Sequence, residues 1–86
     1  MPDKKIGILI TDYFDRSPIS RAQAKSLCIS LNSFKEVELD FSDVEWMGQG
    51  FAHQLFVVFQ NEYIDIKLIP TNMNEAVERM YKHVMP

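Results

Sequence analysis

The chain has 86 residues, of which 47% are hydrophobic, and a formal net charge of −3 at pH 7. A chain of this length buries about two thirds of the surface that its unfolded form exposes, which predicts one core and one domain over residues 1–86. The hydrophobic content argues against disorder. The single cysteine, Cys28, excludes an internal disulfide and a cysteine-rich zinc site. Its place in an apolar helical pattern predicts a buried thiol.

The distribution of charge and apolar residues narrows the location and the partners. Residues 1–35 carry a charge of +3, residues 36–66 carry −7 and residues 67–86 carry +1. Nucleic-acid binding depends on clustered positive charge, so the acidic middle argues against a nucleic-acid partner. No apolar run reaches the roughly 18 residues of a membrane-spanning helix, and the N-terminal apolar stretch is shorter than that of a signal peptide. We therefore expect a cytoplasmic protein of bacterial or phage type without a membrane partner.

The N-terminal part predicts a strand, a loop and a helix. Residues 4–10, "KKIGILI", are typical of a strand that is buried on both faces. A polar, proline-containing loop follows over residues 11–18. Ser20 and Gln23 form a Ser-x-x-Gln capping box, which marks a helix start. The apolar residues of this helix form one stripe: Ala24, Leu27, Cys28 and Leu31.

The rest of the chain predicts two more strand and helix pairs. Residues 36–41, "EVELDF", alternate acidic and apolar side chains, the period of a half-buried strand. The apolar run 51–59 favours a helix, although its two β-branched valines lower helix propensity. Residues 65–70 form a third predicted strand, and Asn72 with Glu75 predicts the cap of a last helix.

The predicted order is therefore β-α-β-α-β-α. This order indicates a small α/β fold with a mostly parallel sheet packed by helices. A further short edge strand is left open in residues 11–15 or near Trp46.

Candidate chemical groups are few. His53 and His83 lie in different predicted helices, and no His-x-x-x-His or Cys-x-x-Cys spacing offers a metal site. Most carboxylates are better explained by turns. Asp40 is the exception, because it ends a central strand at the edge where α/β sheets place functional groups. We expect no catalytic residue, no metal and no cofactor, and so no enzyme.

The step Gly48-Gln49-Gly50 precedes the second predicted helix. It lacks the third glycine of a dinucleotide-binding loop and the Gly-Lys-Ser/Thr of a Walker loop. Its glycines leave the first N–H groups of the helix uncovered, which favours an anion. The acidic residues around the step oppose an anion.

At these residues the chain resembles a known family. "VELDFSDVEWMGQGFAHQL" is similar to the signature of STAS domains, the fold of anti-sigma-factor antagonists, and the matching positions are Leu39, Asp40, Ser42, Val44, Trp46 and Met47. A closer resemblance is to the STAS-like domain family of uncharacterised proteins. It rests on one motif around Ser20, Arg21 and Lys25 and a second from Leu39 to Ala52, and it covers about residues 20–70.

One departure from the antagonists bears on regulation. Their phosphorylated serine corresponds to Gly50 here, which has no hydroxyl. A switch that adds about two negative charges at this helix start is therefore not available at that position. The resemblance still implies that a partner binds the same surface.

Two functional hypotheses follow. The first is a protein-interaction module whose partner, by resemblance, is an ATP-binding kinase-like regulator, and a homodimer is also left open. Its contact residues would be Trp46, Met47, Gly48, Gln49, Gly50, Phe51 and His53. The second is a small-ligand or nucleotide-binding sensor, whose site would include Ser20, Arg21 and Asp40.

Overall fold

A computed structural model describes residues 4–86 of the chain. Strand β1 spans Lys5–Leu9 and is followed by a single 3-10 turn, Ile10–Asp12. Helix α1 spans Arg21–Cys28. Ser20 and Gln23 form the expected capping box, in which the Ser20 hydroxyl accepts a hydrogen bond from the Gln23 backbone. Such a cap stabilises a helix by about 1 kcal/mol.

The second half contains two strands and two helical stretches. Strand β2 spans Glu36–Asp40 and strand β3 spans Lys67–Thr71. Between them, α2 (Gln49–His53) continues as a π-helical segment (Gln54–Phe59) and ends as the short α3 (Gln60–Glu62). We call this continuous stretch the second helix. Helix α4 spans Glu75–Val84.

The three strands form a parallel sheet in the order β1-β2-β3. Val37 of the central strand pairs with Ile6 on one side and Leu68 on the other. Asp40 ends this central strand, as expected. Because helices that join parallel strands return along the sheet, α1 and the second helix both begin at the carboxyl edge of the sheet.

The core lies between one face of the sheet and the helices. Val37 and Leu39 are fully buried on that face, and the expected α1 stripe is buried with them. Each buried aliphatic or aromatic side chain contributes about 1.5–3 kcal/mol by leaving water. The fold class predicted from the sequence is thus confirmed, with a sheet that is entirely parallel.

Burial of β1 on both faces was a wrong prediction. Gly7 is exposed, and so is Glu38, its partner in the register. The helices pack against the other face, and Ile8 of β1 is buried there.

Two further local predictions were wrong. The cap of α4 is Asn74, whose side chain accepts a hydrogen bond from Val77 N at 2.8 Å. Asn72 instead adopts a left-handed conformation with φ of 56° in the preceding turn. No fourth strand forms within residues 4–86, either in residues 11–15 or near Trp46.

Across residues 4–86, no helix has the length and apolar character that crossing a membrane requires.

Candidate functional site at the start of the second helix

The loop before α1 packs along the segment that leads into the second helix. Glu45 N donates to Arg16 O at 2.7 Å, and Gly48 N donates to Pro18 O at 2.8 Å. Phe51 N donates to Ile19 O at 3.2 Å. One of the free N–H groups of the helix start is therefore satisfied by the protein's own backbone.

The close contact that Gly48 permits is internal. A Cβ at this position would lie 2.4 Å from Ile19 O and 2.9 Å from Ile19 Cα. Gly50 is different, because a Cβ there would lie 3.4 Å from Arg21 N, which is an ordinary contact. The interpretation of Gly48 as a point of close approach for a partner is corrected, since the α1 loop already occupies that space.

The residues predicted to contact a partner fall into two groups. Met47 is 1% exposed and Phe51 is fully buried, so both side chains belong to the core. Trp46 is 44% exposed, and Gln49 and His53 are exposed. The surface at the helix start is therefore formed by the second group.

Trp46 lies at the rim of a mostly apolar groove beside α4. The groove has a volume of about 310 Å³. Ala76 and Met80 contribute apolar walls, and Arg79 and His83 contribute polar groups. We call it the Trp46 groove. A bulky apolar side chain that stays half in water beside such a groove is typical of a contact surface.

The side chain of Asp40 makes structural hydrogen bonds. Its carboxylate accepts hydrogen bonds from the Ser42 hydroxyl at 2.6 Å, the Ser42 backbone N–H at 2.9 Å and the Asn72 amide at 3.0 Å. These bonds, the Ser42 hydroxyl first, lower the pKa of Asp40. Asp40 thus joins the turn after β2 to the turn after β3.

The other two residues of the ligand hypothesis lie elsewhere. The Ser20 hydroxyl is used in the α1 cap. Arg21 is exposed and lines a groove between α1 and the second helix, whose lining includes neither Ser20 nor Asp40. The hydrogen bonds of Ser20 and Asp40 are therefore structural.

Three polar residues with defined roles were missed by sequence reasoning. Asn74 donates to Val44 O and Glu45 O, both at 3.0 Å, so it ties α4 to the turn before the second helix. Gln60 donates to Ile66 O at 2.7 Å and so ties the second helix to the approach to β3. Gln54 is a buried polar residue that lines the groove beside α1. Only Gln54 had a local signal, because it interrupts an apolar run three residues after Phe51.

The described residues offer no metal centre. In the part of the chain from residue 4 onward, no group of three or more His, Cys, Asp or Glu side chains could hold an ion. Cys28 is buried, and this burial raises the pKa of its thiol to about 12, with a smaller contribution from the charge of Glu62. Such a thiol is a poor nucleophile at neutral pH.

Comparison with known protein families identifies a match. The profile of a family described as "STAS-like domain of unknown function (DUF4325)" matches residues 23–78. The matched range contains most of α1, the central strand and the whole second helix. No curated protein and no solved structure is significantly similar to the chain.

Proposed function

Because the chain belongs to this family of STAS-like domains, we propose that it is a cytoplasmic protein-interaction module that binds an ATP-binding kinase-like regulator. The contact surface consists of Trp46, Gln49 and His53 together with the Trp46 groove. The kind of partner comes from the likeness to anti-sigma-factor antagonists. The position of the surface comes from the exposed residues at the start of the second helix.

The observation that carries the proposal is the exposure of Trp46. Its neighbour Met47 is 1% exposed, whereas Trp46 is 44% exposed in the same turn. Tryptophan is enriched among the residues that contribute most binding energy at protein interfaces. The apolar walls of Ala76 and Met80 would receive an apolar anchor from the partner. Arg79, which pairs with Glu75 at 3.9 Å, would donate hydrogen bonds to a carboxylate of the partner.

The surface works without a phosphorylated serine. Gly50 occupies the corresponding position, and the space around it would accommodate a small side chain. Binding therefore does not depend on phosphorylation at position 50. The complex is controlled through the partner or through the amount of this protein. A small-ligand sensor built on Ser20, Arg21 and Asp40 has weaker support, since two of its three members already bond internally.

The test is binding to kinase-like ATP-binding regulators from the same organism, measured by calorimetry with purified proteins. Trp46→Ala should weaken the complex at least about tenfold, because hot-spot truncations cost about 2 kcal/mol or more. Gln49→Asp should weaken the complex as well, because it places a negative charge at the contact surface. The same charge at the helix start is favourable for the helix itself.

The matched control is Ile64→Ala, which removes an apolar side chain that is 78% exposed beyond the far end of the second helix. It should leave the affinity unchanged. Equal losses for Trp46→Ala and Ile64→Ala, or no binding to any such regulator, would overturn the proposal.

A further inference from the structure

A second groove lies between α1 and the second helix, away from Trp46. Its volume is about 660 Å³, within the usual range of small-ligand sites. Because both helices begin at the carboxyl edge of the sheet, their starts line one end of the groove. Arg21, Lys25 and His53 are at this upper end, and Glu62 and Tyr63 are at the lower end.

Gln54 is the polar group inside this groove. It is 7% exposed and is the buried polar residue of the part of the chain that the structure describes. Its side-chain amide makes no hydrogen bond to residues 4–86. Among these residues, every side-chain nitrogen or oxygen that is fully shielded from solvent has a hydrogen-bond partner. The amide must therefore open onto the groove. A buried amide without a protein partner is costly unless water or a ligand satisfies it.

The backbone at Gln54 is also unusual. The π-helical segment begins there and extends to Phe59. Departures of this kind are rare and occur frequently at functional sites. Here the segment supplies Gln54, Val58 and Phe59 to one wall of the groove.

The charges of the groove are divided between its ends. The ion pairs within residues 4–86 are made by cations other than Arg21 and Lys25. These two side chains therefore have no carboxylate partner within residues 4–86. They lie four residues apart, on one face of α1. The carboxylate of Glu62 at the opposite end disfavours a second negative charge.

The floor between the two ends is apolar. Cys28 comes from α1 and Ile29 is its C-cap, and Val58 and Phe59 come from the second helix. The distance along the helix axis from Arg21 to Ile29 is about 12 Å. A ligand that spans it has about this length, its charged group included.

We propose that this groove binds a small amphipathic carboxylate, with its carboxylate between Arg21 and Lys25, a hydrogen bond from the Gln54 amide and its apolar body over Cys28 and Val58. Arg21 and Lys25 favour one negative charge at the upper end of the groove, and Glu62 disfavours a second one at the lower end. The inference does not depend on the proposed partner, because the Trp46 groove shares no lining residue with this one. His53 belongs both to the proposed contact surface and to this groove, and it takes no part in holding the carboxylate.

The test uses three probes of one shape, phenylbutanoate, phenylbutanol and phenylbutylamine, titrated into the full chain and followed by the amide NMR signals. Phenylbutanoate should bind about tenfold more tightly than the other two and shift signals of α1 and the second helix. Arg21→Ala combined with Lys25→Ala should reduce its affinity about tenfold, to that of the alcohol. Gln54→Leu should reduce it by about threefold.

The matched control is Lys67→Ala combined with Lys82→Ala, which removes two positive charges that lie outside both grooves and should leave the affinity unchanged. The proposal is overturned if the amine binds as tightly as the carboxylate, or if the control lowers the affinity equally. It is also overturned if inorganic phosphate competes as well as phenylbutanoate, since the apolar floor would then contribute nothing.

Discussion

The segment from Val44 to Phe51 contains two kinds of residue that alternate along a short stretch of chain. Met47, Gly48 and Phe51 are buried, and they pack against the core or the α1 loop. Trp46 and Gln49 face outward. A single stretch therefore both fixes the start of the second helix and presents a surface.

The two glycines of the Gly48-Gln49-Gly50 step differ in their contacts. Gly48 contacts the backbone of Ile19, twenty-nine residues earlier in the chain, so packing alone accounts for the lack of a side chain. Gly50 lacks such a contact. Gly50, which corresponds to the phosphorylated serine of the anti-sigma-factor antagonists, is thus the less constrained of the two glycines.

A large loss of stability is expected for Gly48→Ala. The new Cβ would lie 2.4 Å from Ile19 O, a backbone atom, so the α1 loop must move. The hydrogen bond from Gly48 N to Pro18 O would weaken with it. We expect the free energy of unfolding to fall by about 3 kcal/mol, measured by urea denaturation.

Gly50→Ala is the control for this clash. Its Cβ would make only ordinary contacts, so we expect a change within about 1 kcal/mol in either direction. Similar losses for the two variants would show that the second helix tolerates no side chain at either glycine. The proposed difference between the two positions would then be wrong.

A smaller loss is expected for Asp40→Ala. The substitution removes the acceptor that joins Ser42 to Asn72 and so connects two turns. Since the carboxylate is partly exposed, we expect the free energy of unfolding to fall by about 2 kcal/mol. Glu38→Ala, on the exposed face of the same strand, should change it by less than about 0.5 kcal/mol.

The contribution of Asp40 should also depend on pH. Its hydrogen bonds lower the pKa of the carboxyl in the folded protein. The stability that it adds is therefore complete above the unfolded pKa of about 3.9 and is lost as the pH falls through the folded value. The difference in unfolding free energy between the native protein and Asp40→Ala should shrink below about pH 4. A difference that stays constant to about pH 2 would contradict this.

What could be predicted from the sequence was local. The Ser20 and Gln23 cap and the alternation in β2 depend on residues within a few positions, and both are confirmed. The cap of α4 was missed because Asn72 and Asn74 are the same residue type two positions apart. Only the chain path decides which of them adopts the left-handed conformation.

The rest of the candidate site depends on long-range contacts. The packing of Gly48 on Ile19 and the groove around Gln54 need the relative position of α1 and the second helix, which no spacing in the sequence gives. The resemblance pointed to the segment that we propose as the contact surface. It could not distinguish the core residues in that segment from the surface residues.

Trp46→Ala is expected to cost less stability than the same change at its neighbour Met47, although tryptophan is the largest side chain in the segment. Trp46 is 44% exposed, so only part of its side chain leaves water on folding, and its removal should lower the free energy of unfolding by about 2 kcal/mol. Met47→Ala, one residue later, should lower it by about 3 kcal/mol because it opens a cavity in the core. If the order of the two losses in urea denaturation were reversed, Trp46 would be a core residue. If the order holds, the protein leaves nearly half of a large indole in water beside a core residue that contributes more to stability, which is what a contact surface requires.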